Sequence, residues 1–84
     1  MAHKVFDSIT WKDLKSGVVI LHIDSGDYFT LNDSASQIWY GIVAGKEDQE
    51  IIQGLAEMYD APLEEMAKDY GETIDLLRRE NVID

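Results

Sequence analysis

Val18-Val19-Ile20-Leu21-His22-Ile23-Asp24-Ser25-Gly26-Asp27-Tyr28-Phe29-Thr30-Leu31 is the stretch whose reading decides the fold. Four of its first seven residues are β-branched and the run begins after Gly17, which predicts a central strand. Ser25-Gly26 then places a residue that tolerates positive φ before a second run, Asp27 to Leu31, so the two strands are antiparallel neighbours joined by a short hairpin. Along the second strand the period of two separates Phe29 and Leu31 from Tyr28 and Thr30. The more apolar pair is expected to point to the core and the other outward.

Before this hairpin, residues 1–16 carry Val5, Phe6, Ile9 and Trp11 with polar spacing and no helical period, which predicts a short strand or extended arm. After it the period changes. Asn32-Asp33-Ser34 offers N-cap residues ahead of Ala35, Ile38, Trp39, Ile42 and Val43, an amphipathic helix stopped at Gly45. Glu47, Asp48 and Glu50 sit where a helix dipole favours negative charge, ahead of Ile51, Ile52, Leu55, Ala56 and Tyr59, a second helix ending near Asp60. Pro62 suits the first position of a third helix, whose apolar face is Leu63, Met66, Tyr70, Ile74 and Leu77. Asn81 can supply a left-handed cap, after which Val82-Ile83 folds back. Strands followed by helices mean an α+β fold, here a three-stranded antiparallel sheet followed by three α-helices in one domain over residues 1–84.

Composition narrows the function. The 84 residues include 17 acidic and 7 basic side chains, a net charge of −10, and no cysteine. That charge repels phosphate backbones and anionic headgroups, so neither nucleic acid nor membrane is an expected partner. Without thiols there are no disulfides, thiolate metal sites or cysteine nucleophiles. No apolar run approaches a membrane span or a signal peptide, so a cytoplasmic location is expected. His3, in a terminus expected to be mobile, and His22, in the strand, lack a second ligand at metal-site spacing. The carboxylate pairs Glu64-Glu65 and Asp69-Glu72 read as a solvated helix face, and no serine has a base at hand. No catalytic residue, metal or cofactor is predicted.

Three features are less easily explained. If Tyr28 to Leu31 is a sheet edge, it is either paired within the fold or kept open for an extended peptide, since no charge protects it between Asp27 and Asp33. Gly71 in mid-helix costs about 1 kcal/mol relative to alanine, and either a second backbone passes close by or it is a tolerated surface glycine. Lys68, Arg78 and Arg79 lie on one helix of an acidic chain, where the last two also complement the helix dipole.

The pattern Ile23-Asp24-x-Gly26-x-Tyr28-Phe29-x-Leu31-Asn32, then Ile38-Trp39, Gly45 and Ile51-x-x-x-Leu55-x-x-x-Tyr59, resembles the PqqD family over residues 5–83, with Asp69 and Leu77 continuing it. One departure is Asn81 before Val82-Ile83, where the family typically has glycine. The resemblance implies a winged-helix-like domain that recognises ribosomally synthesised precursor peptides, a RiPP recognition element acting as a peptide chaperone. It implies that a leader peptide adds as a fourth strand to the edge of the third strand, against the third helix. The partner would be a modifying enzyme, often a radical SAM enzyme. On this sequence the docking strand would be Tyr28, Phe29, Thr30 and Leu31, and the helix ridge Ala67, Gly71, Ile74 and Arg78. Arg78 or Arg79 would then pair with an acidic leader side chain.

The sequence thus predicts a non-catalytic peptide-binding chaperone. A winged-helix DNA-binding regulator is the alternative, opposed by the acidic third helix, and an enzyme-docking subunit with no peptide of its own is another. An open edge also permits a homodimer by strand exchange.

Overall fold

The computed structural model describes residues 3–84. In it the β-branched run becomes the middle strand of an antiparallel meander. Strand β1 spans Ile9–Leu14, β2 Gly17–His22 and β3 Tyr28–Leu31, in spatial order β1-β2-β3. Helices α1 (Asp33–Val43), α2 (Asp48–Tyr59) and α3 (Leu63–Arg79) follow, the α+β order expected from the sequence. β2 stops at His22 rather than Asp24 because the hairpin closes there. The His22 amide donates to the Asp27 carbonyl at 2.8 Å and the Gly26 amide to the His22 carbonyl at 2.9 Å, with Gly26 at φ 79°.

Alternation sorts the sheet into two faces. Val18 and Ile20 of β2 and Leu31 of β3 are buried against the helices, and Phe29 packs at the margin of the same core. Opposite them lie Ile38, Trp39 and Ile42 of α1, Leu55 of α2, and Ile74 and Leu77 of α3. Each such side chain contributes about 1.5–3 kcal/mol on burial, which holds α1 to the sheet and α2 and α3 to α1 and to each other around one core. Trp11 meets Trp39 edge-on, ring centroids 6.0 Å apart. Among the described residues no element covers the other sheet face: Leu14 and Tyr28 are 47% and 71% exposed there, and Ile23, just past β2, is 59% exposed.

The helix ends follow their local chemistry. Asn32 Oδ1 accepts from the Ala35 amide at 2.9 Å, and Glu47 and Glu50 form a reciprocal capping box. Pro62 stands just before α3 in an extended conformation rather than within its first turn. Asn81 takes φ 58°, as expected of a left-handed cap, and returns Val82 and Ile83 to the core. The N-terminal residues hold the expected short strand, β1, and an extended arm, and that arm is anchored where a mobile terminus was expected. Val5 bridges Ile83, the Phe6 amide donates to the Val82 carbonyl at 3.0 Å, and His3 packs beside Tyr70 with Nε2 3.3 Å from Asp48. The chain after α3 gives the arm a backbone edge to pair with, which periodicity in residues 1–16 could not reveal. Among the described residues no helix is long and apolar enough to cross a membrane.

Candidate peptide-binding groove

Among the described residues β3 pairs with β2 on one side only, with Val18 opposite Leu31, Val19 opposite Thr30, Ile20 opposite Phe29 and Leu21 opposite Tyr28. In an antiparallel ladder successive residues turn their backbone groups alternately toward and away from the neighbour. The His22–Asp27 bond fixes the phase, so Asp27, Phe29 and Leu31 face β2. Tyr28 and Thr30 therefore turn their N–H and C=O groups to the open edge, four main-chain groups available to another strand.

Ser36 sets where that edge ends. It is 3% exposed, its Oγ accepts from the Val18 amide at 3.0 Å, and its hydroxyl donates to the Leu31 carbonyl at 3.2 Å. The hydroxyl thus completes the ladder where β3 leaves the sheet for α1. Gly17 lies against the same point at φ 132°, and a Cβ there would sit 2.2 Å from the Leu31 oxygen, so no other residue fits.

Between the β3 edge and α3 runs a groove of about 600 Å³. Thr30, Leu31, Asn32, Ser34 and Ala35 line one side, with Ser16 at the margin, and Asp69, Glu72, Thr73 and Leu76 line the other. A smaller depression of about 270 Å³ lies at the hairpin end, where Tyr28 and Phe29 meet Arg79, Glu80, Asn81, His22, Ser25 and Asp27. The strand and helix thus run in opposite directions along the groove.

The structure brings together the four expected strand residues but not the expected helix ridge. Ile74 is 5% exposed and belongs to the core. Ala67 and Gly71 line neither depression, and a Cβ on Gly71 would meet nothing within 4 Å, so no backbone approaches it and it is a tolerated surface glycine. Arg78 turns to the chain end, its Nε donating to the Asp84 main-chain oxygen at 3.1 Å, while Arg79 borders the Tyr28–Phe29 depression. The physical reason is rotational. At about 100° per residue, Ala67, Gly71, Ile74 and Arg78 flank the buried stripe Met66-Tyr70-Leu77 on one side, and Asp69, Thr73 and Leu76 flank it on the other. A single amphipathic pattern does not say which flank faces the sheet edge, so Asp69, Glu72, Thr73 and Leu76 were not identifiable from it.

Two tyrosines brace the site from behind. The Tyr70 hydroxyl donates to Asp48 and the Tyr40 hydroxyl to Asp13. Burial first, then the Asp48 hydrogen bond, raises the Tyr70 phenol far above its ordinary value, and the Asp13 hydrogen bond raises Tyr40. Both remain neutral donors, tying α3 to α2 and α1 to β1.

The family model described as coenzyme PQQ synthesis protein D (PqqD) matches residues 17–83, which include the central strand, the open edge and the whole of α3. The chain belongs to the PqqD family. Two solved structures share its architecture closely. One is TbiB1 in complex with the TbiA(beta) leader peptide, at 25% identity and TM-score 0.89, covering 96% of this chain and 94% of that one. The other is a lasso peptide synthetase B1 complexed with the leader peptide, at 21% identity and TM-score 0.92, covering 100% and 99% respectively. No curated protein matches the chain. This PqqD-family chain thus shares its order of three strands and three helices with proteins solved holding leader peptides.

Proposed function

We propose that this PqqD-family protein is a non-catalytic, cytoplasmic peptide chaperone that captures the leader of a ribosomally synthesised precursor by β-strand addition to β3. The observation that carries the reading is the open edge at Tyr28 and Thr30, set beside a groove walled by α3. A peptide laid there would satisfy four main-chain groups while its alternate side chains enter the groove, which is how β-augmentation combines affinity with selectivity. Its likeness to two leader-bound proteins supports this occupant. The outward face of the sheet, with Tyr28 of β3 and Leu14 of β1 exposed and Ile23 exposed just past β2, adjoins the docking edge and is the surface we assign to the modifying enzyme, a radical SAM enzyme in our reading. Holding the leader on one side and the enzyme on the other raises the effective concentration of substrate at the catalytic centre.

A DNA-binding role is opposed by α3, which carries Glu64, Glu65, Asp69, Glu72 and Asp75 against Lys68, Arg78 and Arg79. The test is a fluorescence-anisotropy titration with labelled leader segments of the short peptides encoded beside the gene, with a DNA duplex as control. Saturable binding to one leader and none to the duplex is the expected result. Binding to the duplex alone would replace the reading.

A further inference from the structure

The groove has a sign. On its α3 wall Asp69 and Glu72 stand opposite Thr30 and Leu31, and the facing side contributes Asn32 and Ser34, which are neutral. Among the described residues, neither carboxylate has an ion-pair partner and no lysine or arginine lines this section. Asp69 is half-buried, so its charge is screened less than that of a fully exposed carboxylate. At the hairpin end the one arginine, Arg79, stands beside two carboxylates, Asp27 and Glu80, so that section differs from the Asp69–Glu72 section in holding a cation of its own.

Strand register converts this into a position on the ligand. Leu31 and Phe29 point to the helix side of the sheet, so residues of an added strand lying across from them point the same way. The residue across from Leu31 enters the section lined by Asp69 and Glu72. Resting on the peptide-groove reading above, we infer that the leader peptide recognised by this protein carries a lysine or arginine at that position, and that Asp69 and Glu72 select it. This inverts the sign expected from Arg78 and Arg79. Glu72 also borders the adjoining depression lined by Asp75, Arg78 and Arg79, and an acidic side chain across from Leu31 would face both Asp69 and Glu72, so the wall also discriminates by charge.

The test is selection of a random twelve-residue peptide library by mRNA display against three proteins: the unaltered chain, the double variant Asp69→Asn/Glu72→Gln, and Thr30→Pro. Thermal melts confirm that each is folded. Peptides enriched on the unaltered chain should align to a motif with one lysine- or arginine-dominated position. That preference should vanish on the double variant while the apolar positions persist. A selected peptide should bind the double variant about 2- to 30-fold more weakly at low salt, and the difference should shrink as salt is raised. A motif with no basic position, or a basic position unchanged in the double variant, overturns the inference and leaves the groove reading intact. Enrichment no greater than on Thr30→Pro overturns the groove reading itself, and the inference with it.

Discussion

Replacing Thr30 with proline separates the open edge from the fold that supports it. The Thr30 backbone turns outward, and its partner Val19 is a non-hydrogen-bonded neighbour across the ladder, so proline removes no bond within the sheet. Proline is tolerated at such edge positions, and residue 29, already extended, is not displaced by it. The exposed threonine contributes less than about 1 kcal/mol as a strand former, so the melting temperature should fall by no more than about 4–8 °C. The docking edge loses one of its two outward N–H groups and leaves a peptide carbonyl unpaired, a cost of about 1–3 kcal/mol. That corresponds to about 5- to 150-fold weaker binding, with the proline ring obstructing the incoming strand in addition. Thr30→Ala keeps the donor and should bind within about twofold of the unaltered protein, a small fraction of one hydrogen bond. The assay is fluorescence anisotropy with a leader peptide, run beside a circular-dichroism melt. Unchanged affinity in a folded Thr30→Pro protein would refute strand addition at this edge.

Other consequences follow from the same geometry. Ser36→Ala strips the buried bridge from the Val18 amide and the Leu31 carbonyl and should destabilise the fold by about 1–3 kcal/mol, read as a lower urea midpoint with an unchanged m-value. The raised Tyr70 phenol means that the folded chain holds that proton more tightly than the unfolded chain does. Its stability contribution is therefore full below pH of about 10, the value of free tyrosine, and declines as pH rises beyond it. Tyr70→Phe should flatten part of that alkaline decline in melts between neutral and strongly basic pH, and Tyr40, raised by Asp13, should account for some of the remainder. Ile23→Glu, just past β2 at the uncovered sheet face, should leave leader affinity within about twofold but lower the rate of precursor modification by the partner enzyme, because the exposed face contributes to docking rather than to peptide contact. Equal modification rates would remove that face from the account.

The strand order, the hairpin at Gly26, the helix start at Asn32 and the inward pair Phe29 and Leu31 were all legible because each rests on a local rule of periodicity, capping or turn chemistry. Side-chain alternation also distinguished the outward residues Tyr28 and Thr30, although the hydrogen-bond phase that frees their backbones needed the His22–Asp27 closure. What could not be read was long-range placement. The α3 flank facing β3 depends on how the helix rotates over the sheet, so the ridge expected at Ala67, Gly71, Ile74 and Arg78 gave way to Asp69, Glu72, Thr73 and Leu76. Ser36 looked like one of several turn and cap serines, and its bridging role emerged only when α1 packed 18 residues away against the start of β2. The return of Val82-Ile83 was foreseen, but its pairing with Val5 was not.

The most direct measurement is amide hydrogen exchange by NMR, with and without a saturating leader peptide. Strand addition predicts that the Tyr28 and Thr30 amides pass from fast exchange to strong protection. Phe29 and Leu31, already turned into the ladder, should change far less. Protection that appears instead along β1 or the uncovered sheet face, with the Thr30 amide still exchanging freely, would contradict the account.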